Sequence, residues 1–265
     1  MMDERRKLVF FDIDGTIQAE EDGFIPESTK EAISELRENG HMAFINTGRT
    51  AMNVRDDIRS MGFDGYVFGC GTEVEIGGKT IYRKENDPEL CVLLANAVRS
   101  CGAAPLYERS DAMFLDSKAR MLPGMQKLLD LYKSQGLTVR DLHESEDFSY
   151  DKFVIWYDND TNMPRFRRLI DGIFVYINRG YGFAEMLPVG CGKAEGIKMI
   201  RKELRTPAKD IIAIGDSLND ADMLKAAGIG IAMGGAELLY PYADFITGEL
   251  KKDGLANALK LHCLI

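Results

Sequence analysis

The chain has 265 residues, about twice the commonest domain size, so one large domain or two unequal ones can each bury a full core. With 45% hydrophobic and 28% charged residues and 8 prolines, the composition excludes disordered, collagenous and low-complexity classes. Lys and Arg total 33 against 42 Asp and Glu, and the net charge of -9 repels a phosphate backbone, so no nucleic-acid partner is expected.

In chain order, the start reads MMDERRKLVFFDIDGT, with a four-residue apolar run before the acidic residues, which is too short for an export signal. Leu8 to Phe11 reads as a buried parallel strand. Ser28 with Glu31 resembles a capping box, Ala32, Ile33 and Leu36 form the stripe of a helix, and Gly40 supplies its stop. Met42 to Ile45 is the next strand, a helix through Val54, Ile58 and Met61 ends at Gly62, and Tyr66 to Phe68 is a third strand. From Arg83 to Leu187 the pattern changes to α+β: a helix at Pro88 to Ser100, a strand, a helix at Leu122 to Lys133, and a strand at Phe153 to Tyr157. A short helix at Arg165 to Ile170 then leads to a hairpin of Ile173 to Ile177 and Tyr181 to Met186, turning at Asn178 to Gly180. The alternation resumes with a helix through Ala194, Ile197 and Leu204 that stops before Pro207, then strands at Ile211 to Ile214 and Ile229 to Met233. Strand and helix alternate at both ends, so the expected fold is α/β, a doubly wound, parallel-sheet Rossmann-like core with an inserted α+β cap domain. Residues 1–82 and 188–265 form the expected core, and 83–187 the cap.

No stretch approaches the roughly 18 consecutive apolar residues of a membrane span, so no membrane partner is expected. The five cysteines, Cys70, Cys91, Cys101, Cys191 and Cys263, are odd in number and widely spaced, which signals neither a zinc site nor a disulfide framework. These features point to a cytoplasmic protein. His41, His143 and His262 are scattered and read as packing or surface residues.

The residues with chemistry sit at strand ends, where an open α/β sheet forms its ligand crevice. In Phe10-Phe11-Asp12-Ile13-Asp14-Gly15-Thr16 a buried strand runs into two carboxylates spaced i, i+2, which share a side. Their repulsion favours a bound cation or a raised pKa. After the next strand, Asn46-Thr47-Gly48-Arg49 offers a hydroxyl and an open backbone N–H that can cradle a phosphate. Lys193 opens a helix in Gly190-Cys191-Gly192-Lys193-Ala194-Glu195, where the dipole disfavours a cation, so an anionic group nearby is expected. Gly215-Asp216-Ser217-Leu218-Asn219-Asp220 adds carboxylates and an amide beside a helix start. Taken singly, each motif also reads as ordinary structure: a turn, a solvated lysine, a helix cap.

The order of the four motifs resembles the haloacid dehalogenase-like hydrolase superfamily, and within it the Cof-type phosphatases, whose large α/β cap lies between the second and third motifs. The resemblance extends to the hairpin-like Val74 to Ile81, to Glu185-Met186-Leu187-Pro188 and to Asp253-Gly254-Leu255-Ala256. It implies a Mg2+-dependent phosphatase in which Asp12 attacks phosphorus, and Asp14 protonates the leaving oxygen and later activates water. It further implies that Asp12, the backbone carbonyl of Asp14 and Asp216 hold the Mg2+. Thr47 and the backbone of Gly48 hold phosphate oxygens, Lys193 neutralises charge, Asn219 touches phosphate or orders the site, and Asp220 stands one layer behind, orienting Lys193 or a metal-bound water.

The implied partner is a small-molecule phosphate ester, sugar phosphates first, and the implied assembly is a monomer or small homo-oligomer. A phosphomutase of the same superfamily and a non-catalytic phosphate-accepting signalling protein remain open as alternatives. The sequence departs from the family pattern at Asn46, where a small apolar residue is usual, and at Cys70-Gly71-Thr72, where Asn-Gly-Ala is usual. Neither departure removes a catalytic group, and both are expected to bear on substrate access. Asn178 to Tyr181 with Trp156 and Tyr157 read first as strand packing, and are also the candidates for substrate selection.

Overall fold

Four consecutive apolar residues, Leu8–Phe11, form the fully buried strand β1 in a computed structural model that describes residues 6–265. Met1 to Arg5, part of the stretch read as lacking an export signal, lie outside the described residues. Next come helix α1 (Glu27–Glu38), strand β2 (Met42–Asn46), the short α2 (Asp56–Arg59), β3 (Gly65–Phe68), and the hairpin of β4 (Glu73–Ile76) and β5 (Lys79–Arg83). The middle of the chain supplies α3 (Pro88–Ser100), β6 (Ala104–Glu108), β7 (Met113–Leu115), α4 (Pro123–Ser134) and β8 (Val139–Asp141). It continues with β9 (Lys152–Trp156), α5 (Met163–Ile170), β10 (Phe174–Gly180) and β11 (Phe183–Pro188). The last third holds α6 (Lys193–Glu203), β12 (Ile211–Gly215), α7 (Ala221–Ala226), β13 (Ile229–Ala232), β14 (Phe245–Ile246) and α8 (Gly254–Leu261). Among the described residues, no helix is long and apolar enough to cross a membrane.

The chain divides into two compact units. The first runs to Arg49 and includes Val54–Tyr82 and Gly192–Ile265; the second comprises Thr50–Asn53 and Arg83–Cys191. The first unit is built on a sheet ordered β14-β13-β12-β1-β2-β3-β4-β5, parallel from β14 to β3 and antiparallel between β3 and β4. Strands covered on both faces must be apolar throughout, which is why β1 and β12 lack polar residues. On one face Leu8, Phe10, Phe44 and Ile211 pack with Ile197 and Ile200 of α6 and Met223 and Leu224 of α7. Phe10 and Phe44 stack with ring centroids 5.0 Å apart, joining β1 to β2.

The second unit has a sheet ordered β10-β11-β9-β6-β7-β8. The pleat divides its strands into two faces. Tyr107, Phe153, Ile155, Ala184 and Met186 join a core with residues of α3 and α5. The alternate positions Glu108, Lys152 and Glu185 are buried on the other face, where the Lys152 ammonium lies 3.1 Å from Glu108 and 2.5 Å from Glu185. Arg179 also pairs with Glu185, so this turn-side arginine is already engaged within its own sheet. Trp156 packs against Phe183 and the backbone of Gly124, and Tyr157 donates its hydroxyl to Asn178 at 3.2 Å.

Three local expectations are corrected. The Ser28 capping box does not form: α1 starts earlier, at Glu27 with Pro26 before it, and the Ser28 hydroxyl donates to Asp253 at 2.6 Å. The stripe through Val54, Ile58 and Met61 supports only a 3-10 turn at Ala51–Asn53 and the four residues of α2, with Val54 and Ile58 buried. The β10–β11 hairpin turns at Tyr181 and Gly182, both with positive φ (50° and 72°), not at Asn178 to Gly180. Gly180 remains in the strand beside a bulge. The β4–β5 hairpin uses Gly77 and Gly78 (φ 56° and 75°), the pair of left-handed residues that a tight hairpin turn requires.

Truncating Phe44 removes the partner of Phe10 at the centre of the first unit. Phe44→Ala is expected to cost about 3–5 kcal/mol of stability, read from denaturant unfolding followed by circular dichroism.

Candidate active site

Strand order reverses at β1: the chain moves to β2 on one side and returns to β12 on the other. The crevice at the carboxyl ends of these strands is therefore where three loops converge. Asp12 leaves β1 only 4% exposed, its N–H donating to the Ile214 carbonyl at 3.0 Å and so continuing the pairing with β12. Lys193, the first residue of α6, is 3% exposed. Its Nζ lies 2.8 Å from Asp12 Oδ1 and 2.5 Å from Asp220 Oδ1. The anionic compensation expected for a lysine at a helix start is thus supplied by these two carboxylates.

Asp220 is fully buried, and its other oxygen, Oδ2, accepts the backbone N–H groups of Asp216 (3.0 Å) and Ser217 (3.1 Å). These bonds fold the loop after β12 back on itself and commit both Asp220 oxygens. Asp216 is less engaged, with the Thr16 hydroxyl 3.5 Å from its Oδ1. Carboxylate oxygens of Asp12, Asp216 and Asp220 all lie within 4.8 Å of one another, a donor set that suits a hard divalent cation. Gly15 makes this approach possible. Its φ is +78°, and a Cβ there would lie 2.1 Å from Asp216 Oδ2. A cavity of about 340 Å³ adjoins the cluster, lined by Gly15, Glu20, Asp216, Glu249 and Lys251 among others.

Thr47 is buried at the end of β2; its N–H donates to the Val67 carbonyl at 2.9 Å and its Oγ1 accepts the Arg49 N–H at 3.1 Å. Gly48 lies within that turn, half-buried. Asn219 is half-buried in the loop that carries Asp216 and Asp220, and its Oδ1 accepts the Ser217 hydroxyl, leaving the amide N–H groups as donors. The Asp14 carboxylate takes the Arg49 guanidinium and the Gln18 amide.

Gln18 and Arg49 were not among the expected site residues. Arg49 stands in the Asn46 to Arg49 motif, where a strand-end arginine is a usable signal, whereas nothing in the sequence marks Gln18. The two departures from the family pattern lie beside Lys193. Asn46 is fully buried and donates from Nδ2 to the Lys193 carbonyl at 3.0 Å, tying the end of β2 to the start of α6. Cys70, buried with φ +53°, lies near Lys193.

Fully ionised, Asp12, Asp216 and Asp220 against Lys193 carry a net charge of -2 in a low-dielectric site. Burial pushes Asp216 up to about 8, with Asp12 and Asp220 adding repulsion. Burial and then Asp220 likewise raise Asp12, against the opposing pull of Lys193. Burial alone would lower the Lys193 ammonium, but Asp12 and Asp220 outweigh it and hold the cation firmly protonated. A divalent cation on this cluster would replace the bound protons as the compensating charge.

A model of the haloacid dehalogenase-like hydrolase family matches residues 9–259. The chain is similar to YkrA of Bacillus subtilis (strain 168), with 30% identity over 259 residues and 96% of each chain covered. It is 26% identical to an HMP-PP phosphatase of Enterobacter sp. (strain 638) over 87% of this chain and 85% of that protein. A solved phosphatase of the haloalkanoate (HAD) enzyme superfamily from Bacteroides thetaiotaomicron matches with a TM-score of 0.85 at 26% identity, covering 100% of this chain and 97% of the other.

The raised Asp216 fixes a pH dependence. The folded metal-free protein keeps a proton that the unfolded chain releases near 3.8, so this contribution is complete below that pH and is lost as pH rises through about 8. Thermal melts of the metal-free protein are expected to fall over that window, Asp216→Asn to flatten the fall, and calorimetric titration to show divalent-cation affinity weakening as pH drops below about 8.

Proposed function

The chain belongs to the haloacid dehalogenase-like hydrolases and is a phosphatase, and we propose that it is Mg2+-dependent and hydrolyses small-molecule phosphate monoesters, sugar phosphates first, through an aspartyl-phosphate intermediate. The observation that carries this reading is the buried Lys193 ammonium held between Asp12 and Asp220, with Asp216 beside them.

Asp12, the backbone carbonyl of Asp14 and Asp216 are the residues we assign to Mg2+. The prior commitment of both Asp220 oxygens supports leaving Asp220 behind this set, where it orients Lys193. Bound there, the cation would offset charge on the phosphate oxygens and on the nucleophile. Lys193 fixes the Asp12 carboxylate and supplies positive charge where negative charge spreads. Thr47, the Gly48 N–H and the Asn219 amide are donors for the phosphate oxygens.

In the first step an Asp12 oxygen bonds to phosphorus as the ester P–O bond breaks, and Asp14 gives its proton to the departing oxygen. In the second, water attacks phosphorus, Asp14 takes the water proton, and the Asp12–phosphorus bond breaks to release phosphate. We assign the core role to residues 1–82 and 188–265, and substrate selection by a cap to 83–187.

Wild-type protein with Mg2+ is expected to release phosphate from a panel of sugar phosphates, nucleotides, pyridoxal phosphate and p-nitrophenyl phosphate. EDTA and Asp12→Asn should each abolish release, and mass spectrometry of quenched turnover should find the phosphoryl group on Asp12. Undiminished release by Asp12→Asn would overturn the reading, and passage of the phosphoryl group to a second sugar hydroxyl would replace the hydrolase with a mutase.

A further inference from the structure

The Asp14 side chain is 34% accessible, yet its carboxylate is fixed from two directions. From one side Arg49, at the end of β2, donates from Nε to Oδ2 at 2.9 Å and from Nη2 to Oδ1 at 2.6 Å, a two-pronged contact that sets the plane of the carboxylate. From the other side Gln18 donates from Nε2 to Oδ1 at 2.8 Å. A surface Arg–Asp pair holds geometry weakly. Here a third donor comes from a buried side chain.

The backbone explains how Gln18 arrives there. After β1 the chain makes one tight turn in which the N–H groups of Ile17 (2.9 Å) and Gln18 (3.0 Å) share the Ile13 carbonyl, and the Gly15 N–H closes on the Gln18 carbonyl at 2.8 Å. This turn sets Gln18 over Asp14, four residues back. Gln18 is 3% exposed, and its Oε1 is buried without a hydrogen-bond partner. An unsatisfied buried acceptor is a cost that an apolar residue of the same size would avoid, so packing does not account for a glutamine here. Arg49 is itself steadied by its N–H bond to Thr47 Oγ1.

We propose that Arg49 and Gln18 are positioning residues for Asp14, locking its carboxylate in the orientation from which it exchanges a proton with the leaving oxygen and then with water. The inference rests on the assignment of Asp14 as general acid and base. As the P–O bond breaks, the proton leaves Asp14 for the ester oxygen and Asp14 becomes a carboxylate. That carboxylate, its plane still set by Arg49 and Gln18, then accepts the proton of the attacking water.

The test uses leaving groups of different need. A p-nitrophenolate departs without a proton, whereas phenolate departs more slowly and gains from one. Gln18→Met and Arg49→Lys are expected to lower kcat/KM for phenyl phosphate by about ten- to a hundredfold while p-nitrophenyl phosphate falls by less than about threefold. In an Asp14→Asn background neither change should cost anything further. Equal losses on both esters, or losses that add to Asp14→Asn, would overturn the inference. Should Gln18→Met fail to fold, Arg49→Ala carries the same test. Free guanidinium should rescue phenyl phosphate turnover selectively, and absent or unselective rescue would overturn the proposal. A wild type inert towards every ester would instead overturn the phosphatase reading and the clamp with it.

Discussion

One buried cation organises the first unit. Lys193 sits at a helix start, where the dipole opposes it, and in a site that burial makes hostile to any lone charge. It persists because Asp12 and Asp220 flank it, and that requirement fixes the rest. β1 must deliver Asp12, the loop after β12 must fold Asp220 inward, and Asn46 ties α6 to the end of β2. Three carboxylates beside one ammonium leave an excess of negative charge, so the cluster is unsatisfied without a proton or a divalent cation. That imbalance makes the site chemically useful.

The parts of the fold legible in the sequence were those in which burial dictates composition. Wholly apolar runs of four residues, rich in β-branched or aromatic side chains, such as Leu8 to Phe11 and Ile211 to Ile214 suit a strand covered on both faces, and the structure places them within the sheet interior. Signals resting on one local hydrogen bond were less secure. Ser28 found Asp253, which is remote in sequence, so no local pattern contained the information. The β10–β11 turn moved to Tyr181 and Gly182 because the pairing of β10 with β11 outweighed the preference of Asn and Gly for turns.

Site residues divide the same way. Asp12, Thr47, Lys193, Asp216 and Asp220 each sit where a strand ends or a helix begins, and their order along the chain marks them as a set. Gln18 has no such marker: it is one polar residue after a turn, and only the three-dimensional course of that turn brings its amide to Asp14. Asn46 and Cys70 stood out as departures expected to bear on substrate access, and the structure places both near Lys193. The second unit shows the same limit. Alternation predicted strands there, but Glu108, Lys152 and Glu185 at alternate positions form a buried ion cluster that only strand register could bring together.

Asp12 and Asp14 are two residues apart and chemically alike, and the turn between them gives them opposite surroundings. Asp12 points into the buried cluster, where an ammonium holds one oxygen and desolvation heightens every charge. Asp14 is partly exposed, and Arg49 and Gln18 hold its carboxylate while solvent can still reach it. The role proposed for Asp12, a nucleophile, needs a dry, charge-compensated position; the role proposed for Asp14, an acid–base group, needs to exchange protons with both an ester oxygen and a water. Gly15 lets both conditions coexist, because its positive φ reverses the chain within one residue and its missing Cβ leaves room for Asp216. A side chain at that position would drive Asp216 from the cluster, so the division of labour proposed for the two aspartates rests on an atom that is not there.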